Sequence, residues 1–492
     1  MKVLLVSHSF EENSRATYSP NVPYSLGLAY IASFLETKGH EVDILWLDTF
    51  DFSCSHKLIL SKIDEFKPEV LGIQMFSMNR VSSRRLIEHC SEKYPNLKLV
   101  IGGIHASIMA DQIVKRYRNV VVVVGEGEIT FSELLSVFEN GYSLDNIKGL
   151  VYWENGKIVK TEERELNYNL DSLPHPKHEA FFDFEPERTT AHIITSRGCP
   201  FKCSFCCLHI ISKRKYRVRN IDEVIKEIVD LKIKYPRLKT IQIHDDNFTL
   251  NNNRVIDFCK KIIALNLDID FIASGTIKPV SEEMLYYMEK AGFKKLMFGL
   301  ETGAEKLMVN TRKGIKKKDA EALFYKLKKH DFLITTFLMV GFPGENEDTV
   351  NETISFVKKL QRIKYNYIVG IGKLWVYPGT EIYQIMKNEN RISDDYWLLD
   401  GDVPYFTVEL DLDTLKEFES KMLDHLSILR IFTFKGFIHH FLSMPLVILK
   451  FLMGNKYLII SIIVEGIKIN FPSLYPKLRK LYQSIRGKNL NA

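Results

Sequence analysis

Four of the chain's seven cysteines fall between positions 199 and 207, in the segment Thr195-Ser196-Arg197-Gly198-Cys199-Pro200-Phe201-Lys202-Cys203-Ser204-Phe205-Cys206-Cys207. Cys199, Cys203 and Cys206 stand at CxxxCxxC spacing, so one short loop carries three thiols. Soft thiolates favour iron–sulfur clusters, and three of them can hold three irons of a cubane while the fourth iron stays open. Zinc is the competing reading; it calls for paired CxxC knuckles or a Cys/His pair, and no second pair follows. An odd and crowded set of cysteines argues against a disulfide framework and for a reducing compartment. Cys207, Cys54, Cys90 and Cys259 read as packing residues.

Composition narrows the rest. The chain has 492 residues, which at ~100–200 residues per domain means two to four domains. A hydrophobic fraction of 46% and a charged fraction of 26% exclude a disordered, collagenous or multi-span membrane chain. The start, MKVLLVSHSFEENSR, reads as a first β-strand rather than a signal peptide, and the expected location is cytoplasmic. The net charge of +6 is uneven: from Arg430 onward there are ten Lys/Arg and one acid, Glu465, so this tail carries +9 and the rest −3. A body of that charge is not built for nucleic acid, and none is expected as a partner.

Short apolar runs at 3–7, 42–47, 70–75, 97–102 and 120–124 alternate with segments of helical periodicity such as 26–38 and 80–94. Gly39-His40 predicts a C-cap that leads from the first helix into the next strand. Such alternation predicts a parallel sheet covered on both faces, with ligands beyond the C-terminal strand ends. Those ends read Ser7-His8, Ser77-Met78-Asn79, Gly102-Gly103-Ile104-His105 and Gly125-Glu126-Gly127-Glu128. Polar loops are common there, but paired glycines allow close backbone approach to something bulky. Residues 149–160 around Asn155-Gly156 predict a hairpin, and the polar, Pro-containing stretch 162–188 marks a domain boundary.

A second alternation starts at His192, with strands expected at 192–196, 240–244, 271–274, 295–300, 334–340 and 368–376. Six βα units in succession predict a barrel or partial barrel with its chemistry at the C-terminal rim, where the cysteine segment would sit. After Pro378-Gly379-Thr380 the pattern becomes helical and aromatic.

The cysteine segment resembles the signature of the radical S-adenosylmethionine (SAM) enzymes, and the resemblance continues strand by strand. It implies that Cys199, Cys203 and Cys206 hold a [4Fe–4S] cluster whose open iron is chelated by SAM. One-electron cleavage of SAM then gives a 5′-deoxyadenosyl radical, which abstracts hydrogen from unactivated carbon. Phe205 matches the aromatic position near the adenine. His244-Asp245-Asp246-Asn247-Phe248 resembles the acidic second-strand motif, so Asp245 and Asp246 are expected to orient SAM. Gly299-Leu300-Glu301-Thr302-Gly303 resembles the fourth-strand GxExG, whose carboxylate, here Glu301, meets the ribose. Gly341-Phe342-Pro343-Gly344-Glu345 is similar to the loop flanking the adenine, with Gly341 facing SAM. Taken singly, a Glu at a strand end or an Asp pair capping a helix has a structural reading; their order carries the resemblance. The third strand departs from the pattern, with Lys278 where relatives often carry Arg, and an ammonium is not a guanidinium. The basic run 312–318 reads as a solvated helix start.

The N-terminal part is similar to the cobalamin-binding domain of one radical SAM subgroup. Ser77, Gly102, Gly103, His105, Gly125, Glu126, Gly127 and Glu128 fall on its matching loops and are the expected cobalamin contacts. The DxHxxG motif that supplies an axial His elsewhere is absent, which implies a cobalt without that ligand. His8 and His105 read as loop or hydrogen-bonding residues.

The resemblance, over roughly residues 1–385, implies an α/β chain. An N-terminal Rossmann-like cobalamin-binding domain (1–145) is followed by a hairpin and linker (146–188), a radical SAM partial (β/α)6 TIM barrel (189–385) and a helical C-terminal region (386–492). The implied cofactors are a [4Fe–4S] cluster, SAM and cobalamin. The implied reaction is methylation of an unactivated carbon of a small or lipid-like substrate, with an electron donor such as flavodoxin or ferredoxin. Cyclisation or oxidative rearrangement, as in the anaerobic magnesium-protoporphyrin ester cyclase, is the alternative. A tRNA methylthiotransferase would want three cluster cysteines in the first domain, which has only Cys54 and Cys90. An electron-transfer protein would need no SAM-directed carboxylates. The apolar stretch 432–464 has a longest uncharged run of 14 residues, 436–449, short of the ~20 that span a membrane. Its basic flanks fit either an amphipathic helix lying on anionic lipid or a helical subdomain packed on the barrel.

Overall fold

The computed structural model describes residues 1–10 and 22–427, so the apolar stretch 432–464 and the basic residues after it lie outside the described residues. The described residues divide into two compact units: those within Met1–Phe248, Asp257–Ser274 and Trp375–Phe406 make the first, and Thr249–Ile256, Gly275–Leu374 and 407–427 the second.

In the first unit β1 (Lys2–Ser7), β2 (Glu41–Trp46), β3 (Val70–Gln74), β4 (Lys98–Gly102) and β5 (Val120–Val123) run parallel in the order β2-β1-β3-β4-β5. Central β1 is covered on both faces, and its Leu4, Leu5 and Val6 are at most 1% exposed, which is why it reads as an unbroken apolar run. Edge strand β2 instead alternates buried and half-buried residues. The helix Leu26–Glu36 starts at Ser25, whose hydroxyl accepts the Leu28 N–H, and packs Leu28, Ala32 and Leu35 against Val3, Val42 and Leu134. Thr37 is the C-cap of that helix, and the chain turns toward β2 two residues later at Gly39, with φ +86°. Asn155 and Gly156, both at positive φ, turn the hairpin of β6 (Leu150–Glu154) and β7 (Lys157–Lys160). β6 pairs antiparallel with β5, so the hairpin extends this sheet to seven strands.

The same unit contains β8 (Thr190–Ile193), the short antiparallel pair β9 (Ser196–Arg197) and β10 (Arg217–Val218), then β11 (Thr240–Ile243) and β12 (Asp270–Gly275). β8 and β12 flank β11 in parallel. β8 stops at Ile193, short of the expected Ser196, because the N–H groups of Thr195 and Ser196 leave the ladder for the Asp245 carboxylate.

The second unit carries the parallel strands β13 (Phe293–Glu301), β14 (Leu333–Val340) and β15 (Tyr367–Lys373). Ile334, Thr336, Leu338 and Val340 are buried on one face of β14, while Phe337 on the other is 45% exposed. The helix Glu347–Ile363 opens with an Asn346/Thr349 capping box and buries Val350, Ile354, Val357 and Leu360 along one stripe. β13 is irregular between Gly299 and Glu301, where its register with β14 shifts. Among the described residues no helix is long and apolar enough to cross a membrane.

Candidate functional site

Asp245 follows β11 and is buried, and its carboxylate accepts four hydrogen bonds. Oδ1 takes the N–H of Thr195 (2.6 Å) and of Ser196 (3.1 Å), and Oδ2 takes their hydroxyls at 2.6 and 2.5 Å. Burial raises the Asp245 pKa against the pull of these four donors. Its neighbour Asp246 accepts the Gly198 N–H at 2.7 Å, and burial raises its pKa too. Gly198 has φ +87°, and a Cβ there would lie 2.1 Å from the Lys215 carbonyl oxygen, so only glycine fits before Cys199. The acid pair thus grips the backbone that delivers the cysteines.

Beyond Cys199 the chain folds tightly: Cys206 N–H donates to the Cys203 carbonyl (3.2 Å), and the short helix His209–Ser212 follows. The Ser204 carbonyl accepts the N–H of Ile382 from the helix Glu381–Asn388, and Gly379 of Pro378-Gly379-Thr380 packs on Ile108 and Ile210. Cys199, Cys203 and Cys206 are in no disulfide and are half-buried, whereas Cys90 and Cys259 are fully buried. Burial, then Cys206, pushes the Cys207 thiol up to about 12, which suits a packing residue. Among the described residues no three His, Cys, Asp or Glu side chains converge as the ligands of a single metal ion would. A four-iron cluster takes its thiolates at separate irons, and this donor set of three half-buried thiols fits it.

Arg197, two residues before Cys199, ties the segment to the N-terminal sheet. Its guanidinium bonds Glu126 (3.3 Å) and Glu128 (2.7 Å) and lies over the Tyr30 ring at 4.9 Å, while Arg217 grips Glu126 at 2.6 and 2.9 Å. Burial works against the Arg197 charge, but Glu128 and Glu126 more than offset it and its pKa is raised. These carboxylates therefore spend hydrogen-bonding capacity on two arginines.

A cavity of about 410 Å³ lies against this latch. One wall is the strand-end backbone of Gly102, Gly103, Gly125 and Gly127 with Leu26, Ile31 and Phe76; the other is Ser196, Arg197, Leu208, Ile211, His244 and Asp246. At Gly125 a Cβ would meet nothing within 4 Å and at Gly102 only the Val123 carbonyl at 4.0 Å, so side chains there would fill the cavity. That glycine cradle fits a flat, bulky group such as a corrin. His244 Nε2 lies 2.8 Å from His192 Nδ1, and burial pushes the His244 pKa down to about 4. Ser77 and His105 are not on the cavity wall: they bond each other at 2.9 Å, with His105 edged against Trp397. His8 is likewise buried elsewhere, against Ser55 and His56.

In the second unit Glu301 ends β13 and is buried, with its Oε1 2.5 Å from Lys313 Nζ. A Cβ on Gly303 would lie 2.9 Å from Thr353 Cα, which makes that glycine a packing requirement. Gly341, at φ +105°, donates its N–H to the Glu345 carboxyl, whose pKa burial pushes up to about 7. Lys278 is half exposed and paired with Asp319 at 2.9 Å. Phe205 is half-buried in the cysteine segment.

Two family profiles meet this geometry: the B12 binding domain matches residues 15–135 and the radical SAM superfamily residues 193–357. The chain carries a radical SAM domain with a B12-binding domain ahead of it. Its cofactors are a [4Fe–4S] cluster, SAM and cobalamin. An uncharacterized methyltransferase of Pyrococcus horikoshii is 28% identical over 95% of this chain and 98% of its own. An anaerobic magnesium-protoporphyrin IX monomethyl ester cyclase of Cereibacter sphaeroides is 26% identical over 75% of this chain and 61% of its own. The cobalamin-dependent SAM radical enzyme OxsB, with aqua-cobalamin and SAM bound, superposes with a TM-score of 0.71 over 99% of this chain and 75% of its own, at 14% identity. The fold of this radical SAM enzyme is thus the Rossmann-like domain and partial barrel expected from its sequence.

Sequence reasoning passed over Arg197, Arg217 and Lys313. Arg197 stands inside the cysteine segment, and that position was its one available signal. Lys313 was hidden in a run of lysines.

Proposed function

We propose that this radical SAM enzyme methylates an unactivated carbon of a small apolar substrate. The observation that carries the reading is one cavity walled by the glycine-rich ends of the B12-binding sheet on one side and by Ser196, Arg197 and Asp246 on the other. Groups held in one cavity can serve one reaction. When bound, SAM on the cluster supplies one-electron cleavage of a carbon–sulfur bond, and cobalamin supplies a cobalt atom able to carry a methyl group.

Cys199, Cys203 and Cys206 would hold the cluster, and Asp245 would fix the segment that bears them. Phe205 and Asp246 in the first unit, and Glu301 and Gly341 in the second, are the proposed SAM contacts. Gly102, Gly103, Gly125 and Gly127 would admit cobalamin, with Glu126 and Glu128 on its rim and Ser77 and His105 bracing the loops behind. Phe337 stands in register between Gly299 and Gly370 on a strand face that also carries Met297 and Met339, which supports an apolar substrate. A methyltransferase relative that matches nearly end to end favours methyl transfer; the cyclase relative makes cyclisation or oxidative rearrangement the second reading. Docking on anionic lipid through the basic tail and reduction by a flavodoxin or ferredoxin belong to the same proposal.

Anaerobic incubation with dithionite, cobalamin, SAM and fractionated apolar metabolites tests it. S-adenosylhomocysteine is expected alongside 5′-deoxyadenosine, with a labelled SAM methyl in the product. Deoxyadenosine with no S-adenosylhomocysteine would overturn methylation in favour of cyclisation.

A further inference from the structure

Glu301 is held in a conformation that a residue with a side chain seldom adopts. Its φ is +69°, it follows the register shift on β13, and its side chain is only 8% exposed. Backbone strain of this kind persists only where the surroundings over-determine it. Here they do. Lys313 Nζ donates to Glu301 Oε1 at 2.5 Å and to the Gly299 carbonyl at 2.8 Å, so one ammonium staples the carboxylate to the bulge that bears it. Gly299 makes the space: a Cβ there would lie 2.1 Å from Glu301 Oε1 and 2.2 Å from Lys313 Nζ.

Lys313 comes from the basic run that the sequence presents as a solvated helix start, and its own side chain is 13% exposed. Arg312 at φ +53° and Gly314 at φ +73° bracket it with two left-handed residues, a turn that points Lys313 back at the strand end. Lys317 of the same run pairs instead with the half-exposed Glu352. The Glu301 Oε1 atom is thus committed, while Oε2 takes no hydrogen bond from the described residues.

We infer that Lys313 is a positioning residue for SAM, which clamps one oxygen of Glu301 so that the other is presented to the ribose hydroxyls. This rests on the reading of Glu301 as a SAM contact. A carboxylate acceptor for a vicinal diol loses selectivity when its rotamer is free, because the hydrogen bond must then order the side chain as well.

The test is equilibrium binding to the full-length, cluster-loaded, oxidised enzyme, which does not turn over, with two probes: SAM and its 2′,3′-dideoxy analogue. Lys313→Met is expected to weaken SAM about tenfold while the analogue stays within about twofold of wild type. Lys313→Arg should recover part of the loss, since a cation remains. Should Lys313→Met fail to fold, Gly299→Ala decides the matter, because it displaces the pair without removing either charge and should show the same selective loss. If Glu301→Gln weakens SAM selectively and neither Lys313→Met nor Gly299→Ala does, the Lys313 role is overturned and the Glu301 reading stands. If Glu301→Gln binds both probes as wild type does, the Glu301 reading itself fails.

Discussion

Asp245 concentrates more hydrogen bonds than any other carboxylate described above, and all four go to Thr195 and Ser196. Removing them should loosen the cysteine segment before it touches any cofactor. Asp245→Ala is expected to cost about 3 kcal/mol, since buried donors would be left unpaired. It should also lower the iron bound after anaerobic reconstitution, and a variant that took up iron like the wild type would contradict the clamp. The acid pair was legible as a motif, but its partners were not, because nothing in a linear sequence tells whether a carboxylate faces a cofactor or a backbone. The cysteine spacing was legible because three soft ligands on one loop have few other uses. Lys313 was illegible for the opposite reason: a lysine among lysines has a bland explanation, and only the turn at Arg312 and Gly314 directs it inward.

Strand ends set the pH response. Burial holds His8 and His105 down to about 3 and His244 to about 4, so these rings stay neutral in the fold. Their stabilisation is fully present above the ordinary histidine value of ~6.5 and is lost as pH falls toward those lowered values. Asp48 after β2 and Glu345 after β14 run the other way: burial pushes both up to about 7, and their contribution is lost as pH rises through that value. Asp245 and Asp246 join them, but His40, His56, His175 and His192 also lie below their ordinary value, so among the described residues seven lowered histidines outnumber four raised carboxyls. The urea midpoint should therefore fall between pH 6.5 and 4.5; a midpoint that held or rose would contradict neutral buried rings. β14 and β15 carry a separate expectation. Gly372 is in register with Met339, and a Cβ on it would meet nothing within 4 Å. Gly372→Leu should fill the open strand face and cut product formation about tenfold or more, with iron content unchanged. Unaltered turnover would move the substrate elsewhere.

At the scale of the molecule, the alternation of apolar runs and helical periodicity was enough to place the parallel strands, most plainly β1, β3 and β4, which are buried on both faces and read as single blocks. What it could not place was where a strand yields to a loop, as at Ile193, since a carboxylate distant in sequence takes the next N–H groups. The cysteine segment is braced by Asp245, Asp246, Glu126 and the Ser204–Ile382 bond. Chelating the iron should therefore leave the far-UV circular dichroism and cooperative unfolding intact, unlike small metal-folded domains. Collapse of either signal on chelation would show the metal to be structural.

The arginine pair sets a limit on modularity. Arg217 is buried and Arg197 only 16% exposed, and both are neutralised by Glu126 and Glu128, which cap and open the helix that follows β5. A fragment that began after the hairpin would carry two stranded cations at the root of its cysteine segment. Grafting this catalytic half onto another carrier module would succeed only if the donor brought a Glu-Gly-Glu in the same place.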